Sequence, residues 1–330
     1  MQEQRRQFVM GFIAYVVQRG VDATALCDEA EIDVDLFLRN DNVDITESMV
    51  QRLWRAASKL TGDPFFGLHL GESFQLAALG AVGEIIKSSD TVGKALTIAS
   101  TFTPVVTTLY TMRVTQHDHH ILVAFELTRE EPSDIAQQVA DFLMVFTTHE
   151  LAGFLLRKIT PIFIHYPFAV KDQKQYERIF QGAPIKKDEV LKIGFDASIW
   201  NEPIITANYE VQRFFLDRIS TSNPSSNVSS FQGRIMEYLL KNAYHGVPSL
   251  EDVAANFNMT SRSLQRRLQQ EGTTFQQTAD AIRKTLALHY LESGNYKVKE
   301  VSNLLGYNEI SAFSRAFKRW TGKAPVSYSA

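Results

Sequence analysis

The chain has 330 residues, 45% of them hydrophobic and 11% aromatic, which is enough apolar material for two or three packed cores. No run of about 18 apolar residues occurs, and the N-terminus MQEQRRQFVMGFIAYVVQRG interleaves its apolar residues with Gln and Arg, so neither a membrane span nor a secretory leader is expected and the location expected is the cytoplasm. Cys27 is the only cysteine, excluding an intrachain disulfide and any multi-cysteine metal site, and the net charge of −3 hides an asymmetry: residues 231–330 carry 13 Lys and Arg against 8 Asp and Glu, while the remainder is acidic.

From residue 5 to 19 the apolar residues Phe8, Val9, Phe12, Ile13, Val16 and Val17 share one helical stripe, which Gly20 is placed to end. Shorter helices are predicted over 23–30 and 34–38. A stronger one follows to Leu60, with Thr46 as its cap and Gly62 as its stop. His69 lies in the next piece, PFFGLHLGESF, and reads as a hydrogen-bonded core residue. Helices are predicted over 80–89 and 91–103, the second capped by Ser89 or Asp90.

The pattern then alternates. Tyr110, Met112 and Val114 share one side of the first run, and Ile121, Val123, Phe125 and Leu127 share one side of the second, which predicts a β-hairpin. Its turn holds His117, Asp118, His119 and His120, residue types that bind first-row metals. Consecutive residues in a tight turn point in divergent directions, however, and no cofactor is expected. A long helix capped by Ser133 is predicted to about Leu156, then strands over 162–166 and 190–195 with a helix over 172–180 between them, and a last helix over 207–219. Strands scattered among helices indicate an α+β domain, and no phosphate loop, dinucleotide fingerprint, nucleophile elbow or zinc-protease motif occurs.

The stretch TSNPSSNVSS, residues 221–230, reads as a flexible linker. Beyond it the chain repeats itself. In the first unit Ser249 caps a helix carrying Leu250, Val253, Ala254 and Phe257; a turn at residues 258–260 leads to a second helix with Leu264 and Leu268. In the second unit Val298, Val301, Leu304 and Leu305 precede a turn at Gly306, after which Ile310, Phe313, Ala316, Phe317 and Trp320 fall at helical spacing. Val253 matches Val301 at an offset of 48 residues and Leu264 matches Phe313 at 49, with Arg266 and Arg315 at the same point of each second helix. Each unit has the helix-turn-helix order, with Gly306 or Asn258 supplying a left-handed turn residue. A continuous helix over 275–291, about 27 Å at 1.5 Å per residue, separates them.

Over about 100 residues this half resembles the AraC/XylS family of bacterial transcription regulators, through FSRAFKRWTGKAPVSY and SRSLQRRLQQEGTTF. More loosely, residues 20 to 215, with FFGLHLGE, LGAVGEIIKSSDTVGKAL and the HYPF segment at 165–168, are similar to the effector and dimerisation domain of one branch of that family, whose arabinose-binding label does not establish that arabinose binds here. The resemblance implies base-reading positions at Arg262, Ser263, Gln265 and Arg266 in the first unit and at Ser311, Ala312, Ser314 and Arg315 in the second. Their chemistry agrees: Arg bridges guanine O6 and N7, Gln pairs with adenine, and Ala312 meets a thymine methyl. Arg267, Lys318, Arg319 and Lys323 are assigned to phosphates. Where the family usually carries Arg after its final Tyr, this chain has Ser329, so no phosphate contact is expected from that end.

The expected architecture is therefore an α+β effector-binding and dimerisation domain over residues 1–220, a linker over 221–230, and an all-α DNA-binding domain over 231–330. The latter holds two helix-turn-helix motifs, at about 249–270 and 298–321, joined by a long helix. The expected function is ligand-responsive, sequence-specific transcription regulation, in most of the family by activation, with double-stranded DNA, RNA polymerase, a small-molecule effector and a second copy of the chain as partners. Two alternatives stay open: a metal sensor or enzyme using His69, His117, His119 or His165, and a DNA-binding dimer without a ligand. Phe65, Phe66, Phe74, Phe102 and Tyr110 are candidates to line an apolar pocket, with Arg113 or Arg129 to meet a carboxylate.

Overall fold

The computed structural model describes residues 2–33, 44–129, 133–170, 172–204, 230–242, 246–294 and 296–328. The helices expected over 34–38 and 207–219, the linker up to residue 229 and Ser329 lie outside the described residues. The chain divides into two compact units, Met1–Leu155 with Ile159–Ile204, and Ile205–Ala330 with Leu156–Lys158.

In the first unit, helices α1 (Gln2–Gln18), α2 (Ala23–Glu29), α3 (Glu47–Thr61), α4 (Phe66–Ser73), α5 (Ala81–Lys87) and α6 (Val92–Val106) precede the strands β1 (Tyr110–Gln116) and β2 (His120–Leu127). A 3-10 turn, Leu76–Leu79, joins α4 to α5. The long helix α7 (Ser133–Leu155) follows, then β3 (Phe163–Tyr166), α8 (Gln173–Phe180), β4 (Ile185–Lys187) and β5 (Leu191–Asp196). The sheet order is β1-β2-β5-β3-β4, antiparallel except for the β3–β4 pair.

The predicted cap and stop of α3 are both present: the Thr46 hydroxyl accepts from the Met49 N–H, and Gly62 ends the helix at φ 61°. The cap of α6 differs from expectation. Thr91, not Ser89 or Asp90, is extended there and its hydroxyl accepts from the Lys94 N–H, while Asp90 pairs with the Lys94 ammonium. Ser133 is the first residue of α7 rather than its cap. The expected hairpin forms, and its strands pair with Met112 opposite Phe125 and Val114 opposite Val123. β4 was not expected. Its three residues IKK carry no alternation, and it is a short edge strand held by β3 alone.

Aromatic rings from α1, α3, α4 and α7 build the core of this unit: Phe12 meets Trp54 with centroids 5.1 Å apart, Phe8 meets Phe74 at 5.3 Å, and Phe142 stacks on Phe146 at 5.3 Å. Glycines in FFGLHLGE let α4 lie against the α7 backbone. A Cβ at Gly67 would stand 2.0 Å from the Gln138 carbonyl oxygen, and one at Gly71 would stand 2.7 Å from the Val145 side chain. Two sets of buried polar groups bond to one another: Asp141 accepts from the Tyr166 and Tyr176 hydroxyls, and Arg178 forks onto Glu72 at 2.6 and 2.8 Å.

The second unit consists of α9 (Phe231–Lys241), α10 (Leu250–Asn256), α11 (Ser261–Gln270), α12 (Phe275–Glu292), α13 (Val298–Leu304) and α14 (Ile310–Thr321). One hydrophobic cluster runs through all six, from Phe231, Ile235 and Leu239 through Leu264 and Leu268 to Ile282, Leu286, Val301, Phe313 and Phe317. The two helix-turn-helix units thus share a single core, with α12 as the common wall.

Candidate nucleic-acid interface

In the first helix-turn-helix unit a side-chain cap sets where each helix begins. Ser249 caps α10 by accepting from the Asp252 N–H at 3.1 Å, and Thr260 caps α11 by accepting from the Ser263 N–H at 3.1 Å. Between them Asn258 sits at φ 51°; at the matching place in the second unit Gly306 sits at φ 79°. Both turns are left-handed, as their residue types predict. Gly306 is also pressed against Gly246, where an added Cβ on Gly246 would lie 2.9 Å from the Gly306 Cα.

On α11 the apolar side is Leu264 and Leu268, both fully buried. Arg262, Gln265, Arg266 and Gln269 are exposed, and their i, i+3, i+4, i+7 spacing places them on one face. Gln269 was not singled out from the sequence, although the same periodicity marks it. Ser263 is half-buried and its hydroxyl accepts from the Thr260 hydroxyl at 2.9 Å, so the cap already engages it. Arg267 is turned toward α9: its guanidinium lies 4.5 Å from the Phe231 ring centroid. Arg234 approaches the same ring at 5.7 Å, and burial, with the Arg267 charge, lowers the Arg234 pKa below its usual value. Beside them Glu271 accepts from the Phe231 and Gln232 N–H groups at 2.8 and 2.7 Å, closing the N-terminus of α9.

On α14, Phe313, Ala316 and Phe317 are buried, while Ser311, Arg315, Lys318 and Arg319 are exposed and Ala312 and Ser314 are half-buried. Ile310 departs from the expected apolar stripe and stays 41% exposed, because at the helix start it lies before the first turn that reaches the core. Arg319 is held across the groove by Asp280 of α12, Nη2 to Oδ2 at 2.9 Å. Asp280 also accepts from Gln276 at 2.9 Å and from Arg283 at 3.4 Å. Arg315, Arg319, Arg283, Gln276 and Ala312 thereby line one polar pocket between α12 and α14. No feature of the sequence marked Asp280, since its partners lie up to 39 residues away. Lys323 is exposed past Gly322, which ends α14 in the left-handed conformation. Each base-reading candidate therefore lies on the exposed or half-buried side of α11 or α14.

The histidines have other partners. His69 is fully buried, with Nδ1 2.6 Å from Asp63, which also takes Arg19 at 2.9 Å. His165 meets Asp188 at 2.8 Å. The His117 ring stacks on His120 at 4.6 Å. Among the described residues no three His, Cys, Asp or Glu side chains gather where they could hold a metal ion, and no helix is long and apolar enough to cross a membrane. Of the pocket candidates, Phe102 lines a cavity in the first unit, whereas Phe66, Phe74 and Tyr110 are buried in the packed core. Arg113 pairs with Glu126 at 3.2 Å on the surface.

Residues 20–204 match the arabinose-binding domain of the AraC transcription regulator, its N-terminal part, and residues 253–330 match a helix-turn-helix domain. An ornithine utilization regulator of Pseudomonas aeruginosa is 28% identical over 317 residues, covering 95% of this chain and 92% of that protein. The regulator VqsM of the same organism is 27% identical over 79% of this chain and 82% of its own. Among solved structures, the transcriptional regulator CdpR from Pseudomonas aeruginosa aligns with a TM-score of 0.41 at 24% identity, over 85% of this chain and 91% of that one.

Proposed function

Because the chain belongs to the AraC family of transcription regulators, we propose that it reads a long asymmetric operator with α11 and α14 and answers to a small molecule bound by its first unit. It is a DNA-binding regulator and not an enzyme. The observation that carries the reading is the exposed face of Arg262, Gln265, Arg266 and Gln269 on α11, matched by Ser311, Arg315 and Lys318 on α14, with both helices seated on one core.

Arg262, Gln265 and Arg266 supply bidentate readers for guanine and adenine; Ala312 offers a methyl to thymine, and Ser263, Ser311 and Ser314 short hydroxyl contacts. Lys318, Arg319, Lys323 and Arg267 meet phosphates. α12, 18 residues long and so about 27 Å, joins the two units, and the two readers enter successive major grooves, roughly 34 Å apart on one face of B-DNA. α14 offers shorter side chains than α11, so the first unit carries more of the sequence choice. The first unit pairs two copies, and effector binding shifts the population of arrangements that differ in operator affinity, leading to activation through RNA polymerase in the cytoplasm.

Selection of binding sites from random duplexes with the full chain tests this. A site with two half-sites about one helical turn apart is expected, and Arg266→Ala should lose preference in one half-site by roughly 1–3 kcal/mol, a factor of about 5 to 150. Enrichment of no sequence at all defeats the reading.

A further inference from the structure

The first unit contains a cavity of about 70 Å³ between α6, α7, the Leu76–Leu79 turn and the sheet. Its floor is the cross-strand pair Met112 and Phe125, and Leu96 and Leu143 stand in its walls. Half-buried Ala99, Phe102 and Phe146 stand at the edge nearer solvent. Polar side chains in the lining are few. The Thr103 hydroxyl lies 3.4 and 3.3 Å from the carbonyls of Ala99 and Ser100, one turn back on its own helix; Thr147 adds a hydroxyl, and Glu150 is the one charged residue of the lining. Glu150 is buried and accepts from the Leu76 N–H at 2.9 Å.

These walls discriminate between ligand classes. A sugar brings several hydroxyls, each of which gives up its hydrogen bonds to water on entering and finds almost no replacement. A fatty acid or other organic anion finds no Lys, Arg or His in the lining, so its carboxylate gives up hydration without gaining a charge partner. An uncharged alkyl or ring group loses nothing and gains apolar contact on every side. The volume is about half that of the roughly 150 Å³ apolar cavity that stays dry and takes benzene, so the closed cavity fits only a chain shorter than six carbons, and a six-carbon chain enters by outward rotation of half-buried Phe102.

We propose that this cavity is the effector site and that it takes a small, uncharged, predominantly apolar molecule, despite the arabinose name of the domain. The assignment rests on the reading of the first unit as the effector-binding part. It is tested on the full chain by saturation-transfer NMR titration with 1-hexanol, hexanoate and L-arabinose, alongside operator affinity measured with and without each. Saturable binding of 1-hexanol is expected, at least tenfold tighter than hexanoate, with none for L-arabinose. Ala99→Phe should weaken 1-hexanol at least tenfold by filling the mouth. Should Ala99→Phe fail to fold, Phe102→Ala decides instead, by shifting the preferred 1-alkanol to a longer chain. The proposal is overturned if hexanoate or L-arabinose binds as tightly as 1-hexanol, if 1-hexanol does not bind saturably, or if folded variants at Ala99 and Phe102 leave the alcohol profile unchanged. If 1-hexanol binds as expected and operator affinity does not respond, the cavity's chemistry stands and the effector reading falls. If 1-hexanol fails to bind while another small molecule alters operator affinity, the effector reading stands and this one falls.

Discussion

Arg315 and Arg319 are one turn apart on α14 but are held differently. Arg315 is exposed beside Ser311 and Lys318, whereas Arg319 is drawn to Asp280. The Arg319 side chain keeps 65% of its exposure in that pair, so the pair contributes roughly 0–1 kcal/mol and a phosphate can compete for the guanidinium. Arg315→Ala should therefore weaken operator binding about 5- to 150-fold with an unchanged melting temperature. Arg319→Ala should lower affinity for all sequences alike and make the slope of log affinity against log salt shallower by about 0.9. Gel-shift titrations over a salt series separate the two, and an unchanged slope would leave Arg319 as a structural partner of Asp280 alone. Arg267 is the residue whose surroundings the sequence did not disclose. Its stacking on Phe231 beside Arg234 depends on α9 lying against α11, and the two residues are 36 positions apart in the chain.

At the scale of elements, the turns carry the argument. Gly306 at φ 79° has Gly246 against it, so Gly306→Ala adds a left-handed penalty of roughly 1–2 kcal/mol to a contact at 3.2 Å. A lower melting temperature and weaker operator binding are expected together, since the turn sets the crossing of α13 and α14; an unaltered melting curve would show that the turn relaxes freely. The helix-turn-helix elements were legible because their signals are local: a cap at Ser249, a left-handed residue at Asn258 or Gly306, and apolar spacing at Leu264, Leu268, Phe313 and Phe317. Where local signals compete, the sequence was less decisive. Ser89, Asp90 and Thr91 are all acceptable caps by type, and the extended backbone at Thr91 decides among them. Lone, short β4 offered no period to read.

For the whole molecule, residues 230–242, 246–294 and 296–328 share their own cluster of buried side chains, from Phe231 to Phe317. A fragment of residues 228–330 should then bind the operator with the full chain's sequence preference and lose any response to a small molecule. Footprinting of fragment and full chain on the same promoter checks this, and a fragment that prefers no promoter over random DNA would mean that the first unit takes part in recognition.

The sequence by itself determined the α+β and all-α halves, the tandem repeat and the residues presented on α11 and α14, because amphipathic periodicity and caps act over a few residues. Tertiary structure alone decided that both repeats share one core, that Asp280 takes Arg319, that Arg267 lies on Phe231, and that an apolar cavity with one buried carboxylate, Glu150, opens between α6, α7 and the sheet. Each of these joins groups tens of residues apart, and their approach follows from the packing of whole helices, which no local pattern encodes.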